Sequence, residues 1–240
     1  MLCYHPVMAT DAHMAAQFYA TPRGAVACGL VRERLLRTWP TLDGQALLGL
    51  GYAQPYLGCW PGVARCIAAV PTAAAVTRWP EDRNQACATE EDALPFPDLC
   101  FDRILLVHGL EAADSARALL REVWRVLKDD GRLLVVAPNR MGMWAHVEST
   151  PFGHGQPYSP GQIGRLLAGS MFRVERRDTA LHVPPIRIRL GAATARAWEN
   201  GGRRIASQLA GVTITEAIKD LYAAIPLRRA RRRLVLSSAR

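Results

Sequence analysis

Apolar residues in this chain are concentrated in several short runs, which polar or turn-forming residues separate. Such continuous runs are typical of strands that are covered on both faces of a parallel sheet. The pattern therefore predicts a doubly wound α/β fold. Its predicted parallel strands are "QALLGLG", "RCIAAVP", the weaker "NQACATE", "FDRILLVHG" and "GRLLVVAPN".

Helical patterns precede and separate these runs. "MATDAHMAAQFYATP" predicts a short helix capped by Thr10 or Asp11, and "RGAVACGLVRERLLRTWP" predicts an amphipathic helix that Pro40 ends. Together they form a helical lead-in over residues 1–43. In "DSARALLREVWRVLKDDG" we expect a helix capped by Asp114 and closed by Gly131. Its apolar stripe consists of Leu119, Leu120, Val123, Val126 and Leu127.

The C-terminal part predicts two further strands. They are "FRVERRDTALHV" and "GVTITEAIKDLY", and a mostly helical insertion from about Arg187 to Leu209 separates them. A helix near Ser159 to Gly169 precedes the pair. We expect the sheet to end in this antiparallel pair and residues 1–225 to form one domain.

Composition agrees with a packed globular chain of 240 residues, since 50% of the residues are hydrophobic and 21% are charged. No apolar run approaches the roughly 20 residues of a membrane span. The first residues lack the pattern of a secretory signal, so we expect a cytoplasmic location. The six scattered cysteines lack the spacing of zinc ligands, and we expect them to be reduced and structural.

The net charge of +9 is concentrated near the C-terminus, where residues 226–240 form an arginine-rich tail. Clustered guanidinium groups bind phosphate and carboxylate, so nucleic acid, anionic lipid or an acidic partner are candidate ligands of the tail. The alternative interpretation is a solvated terminus. The candidate nucleic-acid contacts are Arg228, Arg229, Arg231, Arg232 and Arg233.

Two segments resemble a known family. "EEDALPFPDLCFDRILLVHGLE" and the following "LLREVWRVLKDDGRLLVVAPNR" are similar to the middle of class I S-adenosylmethionine-dependent methyltransferases, especially the small-molecule branch that includes quinone-biosynthesis enzymes. The resemblance covers about Leu47 to Val183. It implies a seven-stranded sheet with strand order 3-2-1-4-5-7-6 and S-adenosylmethionine as the cofactor.

The resemblance also implies where the cofactor binds. In the family, the loop after the first strand holds the methionine part, and this loop is "GLGYAQPYL" here. Gly49 stands where the family usually has an acidic residue. The second strand ends at Ala69, Val70, Pro71 and Thr72 without the carboxylate that usually binds the ribose. The candidate residues of the loop are Gly49, Gly51, Tyr52, Ala53 and Pro55.

A third cofactor contact comes from the turn in "TEEDALPF", which matches the turn that binds adenine in the family. Its candidates are Glu90, Glu91, Asp92 and Ala93, and the alternative is a solvated acidic turn. His108 ends the fourth strand and matches a position that borders the transferred methyl group. The alternative is a packed structural histidine.

The loop "STPFGHGQPYSPGQ" follows the fifth strand and lies above the same strand ends. It contributes His154 as a candidate base or substrate ligand and Tyr158 as a substrate contact. In the alternative interpretation, Ser159 caps the next helix and His154 holds the loop. Arg140 and Trp144 are candidates for the acceptor pocket or for covering the edge of the sheet.

The chain contains no metal-ligand spacing, nucleophile elbow or phosphate-binding P-loop, and methyl transfer requires none of them. Two hypotheses follow. The first is an S-adenosylmethionine-dependent methyltransferase whose acceptor and oligomeric state the sequence does not name. The second is an inactive, methyltransferase-like protein that binds a protein or RNA partner through its tail and insertion.

Overall fold

The computed structural model describes residues 14–71, 78–80, 82–185, 192–205 and 207–221. The predicted cap at Thr10 or Asp11, residue Thr72, the start of the insertion at Arg187 and the arginines of the tail lie outside these residues. No helix in the described ranges is long and apolar enough to cross a membrane.

Seven strands form one sheet, with helices packed on both faces. The strands are β1 (Ala46–Gly51), β2 (Arg65–Pro71), β3 (Ala86–Thr89), β4 (Phe101–Val107), β5 (Leu127–Pro138), β6 (Phe172–Ala180) and β7 (Val212–Lys219). The α-helices are α1, whose described part is residues 14–19, α2 (Pro22–Thr38), α3 (Gln54–Leu57), α4 (Ala116–Val126), α5 (Pro160–Gly169) and α6 (Ala192–Ile205). Short 3₁₀ helices span Met143–His146, Pro151–Gly153 and Ser207–Leu209.

The strand order is β3-β2-β1-β4-β5-β7-β6, which confirms the predicted fold class and order. Strands β1 to β5 pair in parallel, whereas β7 runs antiparallel to both β5 and β6. The chain winds outward from β1 to β3 and then returns to place β4 on the other side of β1. A crevice therefore opens at the carboxyl ends of β1 and β4, where the strand order reverses.

Neighbouring side chains of β1 show how both faces of the sheet are covered. Leu47 belongs to the apolar cluster that includes Leu35 of α2, and Leu48 belongs to the cluster that includes Leu120 of α4. Successive side chains of a strand point to opposite faces, so a strand between two helical layers must be apolar at every position. This requirement explains the continuous apolar run in the sequence.

Both predicted boundaries of α4 are wrong. Its N-cap is Ser115 rather than Asp114, because the Ser115 hydroxyl accepts a hydrogen bond from the Ala118 N–H. The helix ends at Val126, and Leu127 already has extended backbone and pairs with Phe101. Gly131 therefore lies inside β5 and does not close the helix.

The predicted start of α5 is confirmed. The Ser159 hydroxyl accepts from the Gln162 N–H, and the Gln162 side chain accepts from the Ser159 N–H, which together form a capping box. The long loop after β5 therefore ends at a fixed point. This point lies near the carboxyl end of β5, since Asn139 and Tyr158 form an isolated bridge.

Gly49 allows α3 to pack directly on β1. A Cβ atom at this position would lie 2.8 Å from both Leu57 Cδ atoms and 2.9 Å from the Ala53 Cβ atom. These distances are shorter than van der Waals contact, so even an alanine would force neighbouring side chains apart.

We expect Gly49→Ala to lower the free energy of unfolding by roughly 1–3 kcal/mol through this overpacking. Urea denaturation followed by circular dichroism measures the change. The matched control is Gly58→Ala at the end of α3, since a Cβ atom there would meet nothing within 4 Å. Equal losses of stability in the two variants would contradict the packing role of Gly49.

Candidate functional site

Two clefts adjoin each other at the carboxyl ends of β1, β2 and β4. The larger one, here the His108 cleft, spans about 510 Å³ of space that includes open solvent, and the smaller one, here the Glu91 cleft, spans about 330 Å³ on the same measure. Gly51 and Pro71 line both clefts. The other residues of the His108 cleft are Ala15, Tyr52, His108, Glu111, Ala112, Pro151, His154 and Gly155. Those of the Glu91 cleft are Leu50, Ala69, Thr89, Glu91, Leu94, Leu106, Gly109 and Leu119.

Glycines form the boundary between the two clefts. Gly51 has a φ of +71°, and a Cβ atom on it would lie 2.3 Å from the Val107 carbonyl oxygen, so only glycine fits. A Cβ atom on Gly109 would lie 2.6 Å from Leu106 Cδ1 and 3.6 Å from Gly51 Cα. The ends of β1 and β4 therefore approach each other as bare backbone, and a ligand can lie across them.

The rest of the predicted cofactor loop packs inside the protein. Ala53 is buried and precedes α3, Pro55 lies in the first turn of that helix, and Gly49 lies within β1; none of the three lines either cleft. The tight contact of Gly49 with Leu57 leaves no space for the acidic side chain that the family usually has there.

Tyr52 is the side chain of this loop that reaches the His108 cleft. Its N–H donates to the Val107 carbonyl (2.7 Å), which closes the turn onto β4. Its ring stacks on Tyr19 of α1, with ring centroids 5.5 Å apart. Tyr52 therefore connects the loop to the N-terminal helix.

His108 stands at the centre of a buried row of polar side chains. The Tyr56 hydroxyl lies 3.0 Å from the Tyr19 hydroxyl, which lies 2.9 Å from His108 Nε2. On the other side of the ring, His108 Nδ1 lies 2.9 Å from Glu111 Oε1. The residue itself has a φ of +50°, so the backbone turns sharply where β4 ends.

One assignment of protons satisfies every contact in this row. A carboxylate only accepts, so Nδ1–H donates to Glu111, and in the neutral imidazole Nε2 then accepts from the Tyr19 hydroxyl. Tyr56 then donates to Tyr19. Burial raises the pKa of Tyr19 well above its ordinary value, so this phenol stays protonated and can donate.

Glu111 is the least satisfied member of the row. Its side chain is 3% exposed, and its second carboxylate oxygen, Oε2, has no hydrogen-bond partner in the described structure. Its backbone carbonyl accepts from the Gln156 N–H (2.9 Å), so the loop after β5 rests on this residue. A buried carboxylate oxygen without a donor is costly, which marks the position as a place where a ligand would supply one.

Of the four candidates in the predicted adenine turn, Glu91 alone lines a cleft. Its carboxylate accepts from the N–H groups of Asp114 (3.2 Å) and Ser115 (2.9 Å) and thereby joins the turn to the start of α4. Burial raises the pKa of Glu91 above its ordinary value. The remaining candidates, Glu90, Asp92 and Ala93, are exposed.

The loop after β5 brings one predicted residue to the site. His154 lines the His108 cleft, and its Nε2–H donates to the Glu148 carbonyl, so it borders the cleft and also holds the loop. Tyr158 lies outside the cleft lining and packs against the apolar cluster of α4 and α5. Burial raises the pKa of Tyr158 above its ordinary value, and the nearby Glu111 adds to this effect.

Arg140 and Trp144 also lie outside both clefts. Trp144 is buried in an aromatic cluster with Phe18 and Phe152, and its indole N–H donates to the Val183 carbonyl (2.7 Å). Arg140 is exposed at the end of β5. Trp144 therefore supports the site from beneath and does not form a wall of the cleft.

Among the predicted site residues, the structure brings Gly51, Tyr52, His108 and His154 to one cleft and Glu91 to the next. The sequence analysis missed Glu111 and Tyr19. Glu111 had a local signal, since it follows the strand-terminal histidine by three residues at the carboxyl end of a predicted strand. Tyr19 had none, because 89 residues separate it from His108.

No described cysteine lines either cleft, although Cys28 forms a hydrogen bond with Tyr56 of the polar row. Burial raises the pKa of the Cys66 thiol to about 12 and that of the Cys28 thiol above its ordinary value, so these thiols are poor nucleophiles at neutral pH. In the described ranges, no three His, Cys, Asp or Glu side chains form a group that could hold a metal ion.

Curated relatives match parts of the chain. Residues 48–135 match the family model of a methyltransferase domain. An uncharacterized protein of Mycobacterium tuberculosis is 33% identical over 101 residues, which cover 39% of this chain and 35% of that protein. The ubiquinone/menaquinone biosynthesis C-methyltransferase UbiE of Enterobacter sp. is 49% identical over 45 residues, which cover 19% of this chain and 18% of that protein. The chain thus spans about a third or less of the length of these relatives.

Solved structures match nearly the whole chain. An S-adenosylmethionine-dependent methyltransferase of Thermotoga maritima, described as a possible histamine N-methyltransferase, aligns with a TM-score of 0.62 and 14% identity over 89% of this chain and 98% of that one. A methyltransferase of Haloferax volcanii, solved with the Trm112 activator, aligns with a TM-score of 0.58 and 16% identity over 88% and 93% of the two chains. The chain thus has the fold of S-adenosylmethionine-dependent methyltransferases, and its residues 48–135 are similar to a methyltransferase domain.

Proposed function

We propose that the protein is an S-adenosylmethionine-dependent methyltransferase that binds its cofactor across both clefts. The adenine lies in the mostly apolar Glu91 cleft, and the methionine part extends past Gly51 into the His108 cleft. The observation that carries this proposal is the meeting of the two clefts at the Gly51 and Gly109 backbones. Two adjoining clefts of this kind can receive the aromatic end and the charged end of one ligand.

The residues present fit this cofactor in two respects. Gly51 lines both clefts in a tight turn that only glycine can form, so main-chain atoms without a side chain face the position of the ligand. In addition, the buried Glu111 Oε2 lacks a donor, and the cofactor carries an ammonium group.

When bound, the cofactor supplies an electrophilic methyl carbon on a sulfonium, whose thioether leaves as the acceptor atom attacks in line. The protein has to align the two groups and to receive a proton from an acceptor that loses one. His108 is the candidate base, because Glu111 holds its Nδ1–H and leaves Nε2 as the proton-accepting atom. The Tyr19 hydroxyl contacts Nε2, so an acceptor would take the place of this hydroxyl. His154 borders the same cleft as a candidate contact of the acceptor.

The alternative is a methyltransferase-like protein that does not bind the cofactor and works through a partner. The filled space at Gly49 favours it, since that position cannot hold the family's usual acid. The Haloferax volcanii neighbour was solved with an activator protein, so a protein partner is compatible with either proposal. Cofactor titration separates the two.

Isothermal titration of the full chain with S-adenosylhomocysteine tests the proposed function. We expect saturable binding below about 1 mM ligand. In the Ala112→Trp variant, the new indole fills part of the His108 cleft, so we expect at least a roughly tenfold weaker affinity. The control is Ala64→Trp, an exposed position next to the amino end of β2, where the affinity stays within about twofold of the wild type. A wild-type protein that produces no heat near 1 mM ligand would favour the non-catalytic alternative.

The buried row of polar side chains around His108 leads to a separate prediction about stability. Tyr19→Phe removes the donor to His108 Nε2 and the acceptor of the Tyr56 hydroxyl, so we expect a loss of roughly 1–3 kcal/mol in the free energy of unfolding. Chemical denaturation measures it. Tyr52→Phe is the matched control, because the Tyr52 hydroxyl forms no hydrogen bond with the described residues, and we expect its loss of stability to stay below about 0.5 kcal/mol. Identical denaturation midpoints for both variants would show that the row does not stabilise the fold.

A further inference from the structure

We propose that Glu111 binds the ammonium group of the cofactor's amino-acid part and so replaces the acid that the family usually has at the position of Gly49. This inference rests on the proposed function, because it concerns the same cofactor. It assigns a binding role to a residue that the loop motif does not contain.

The first step of the argument is the location of the carboxylate. Glu111 lines the His108 cleft together with Gly51 and Tyr52, on the side where the methionine part lies in the proposed binding mode. It reaches this place from the turn after β4, whereas an acid at Gly49 would reach it from β1. The two strands are adjacent and parallel, with Gly51 paired to Val107, so side chains from either strand end serve the same volume.

The second step is the state of its two oxygens. Oε1 contacts His108 Nδ1 at 2.9 Å, and Oε2 is buried without any partner in the described part of the chain. A carboxylate with one oxygen fixed and the other unpaired is held in position before a ligand arrives. Among the described residues, neither lysine nor arginine lines the His108 cleft, so this part of the chain offers no basic side chain there. An ammonium group supplies both the charge and the missing donor.

The third step concerns the space beside Gly49, where the family usually has its acid. Leu57 and Ala53 fill the space beside Gly49, so the one-turn helix α3 packs against β1 where the usual acid would stand. A carboxylate can then reach the cleft only from another element. The backbone of Glu111 is held in position, because its carbonyl accepts a hydrogen bond from the Gln156 N–H.

The test compares two ligands by isothermal titration with the full chain. One is S-adenosylhomocysteine, and the other is its deaminated analogue, in which hydrogen replaces the amino group. We expect the wild type to prefer S-adenosylhomocysteine by roughly tenfold or more, as a charge-assisted hydrogen bond requires. In Glu111→Gln, we expect the affinity for S-adenosylhomocysteine to fall by about tenfold and the affinity for the analogue to change less than about twofold, so the preference disappears.

Glu91→Gln is the matched control, because Glu91 is a partly buried carboxylate in the neighbouring cleft. It lowers both affinities equally and leaves the preference intact. Equal wild-type affinities for the two ligands would overturn the inference without recourse to any variant. A preference that Glu111→Gln leaves intact would also overturn it, and would point to an amine on the acceptor as the partner of Glu111. Absence of binding of either ligand to the wild type would instead refute the proposed function.

Discussion

The close approach of the β1 turn to the end of β4 is the constraint on which the candidate site depends. Gly51 has left-handed backbone and leaves no space for a Cβ atom beside the Val107 carbonyl. The Tyr52 N–H then closes the turn onto that carbonyl. Because the two strand ends meet as bare backbone, the Glu91 cleft and the His108 cleft adjoin each other and share Gly51 in their linings. A larger residue at Gly51 would separate them and distort the parallel pairing that defines the sheet.

The polar row through His108 depends on the same geometry. His108 leaves β4 with left-handed backbone, and Glu111 follows three residues later, so the turn brings both side chains together. Helix α1 adds Tyr19 from the opposite side. Each group in the row contacts the next, with Glu111 on one side of the imidazole and the Tyr19 hydroxyl on the other. The polar groups are therefore organised by the fold before any ligand binds.

The parallel sheet was predictable because each strand that is buried on both faces needs an uninterrupted apolar run, whereas the strand order was predicted only through the resemblance to the methyltransferase family. The start of α4 was not predictable, since Asp114 and Ser115 are both good caps and a remote residue, Glu91, binds the two backbone N–H groups there. The hydrogen bond between Tyr19 and His108 was also not predictable from the sequence, because it depends on how α1 packs across the strand ends. Glu111 was predictable from local sequence, since it follows the strand-terminal His108 by three residues. The family's loop motif, however, lies after β1 and does not include the turn after β4.

The packing of Leu57 against Gly49 has a consequence for protein engineering of this loop. An acid at position 49 would overlap the Leu57 side chain, so it would require Leu57 to move or to be replaced by a smaller residue. Replacing the buried Leu57 alone would leave a cavity in the core and lower the free energy of unfolding. The two positions therefore have to be redesigned together, because substitutions that share one volume are not additive.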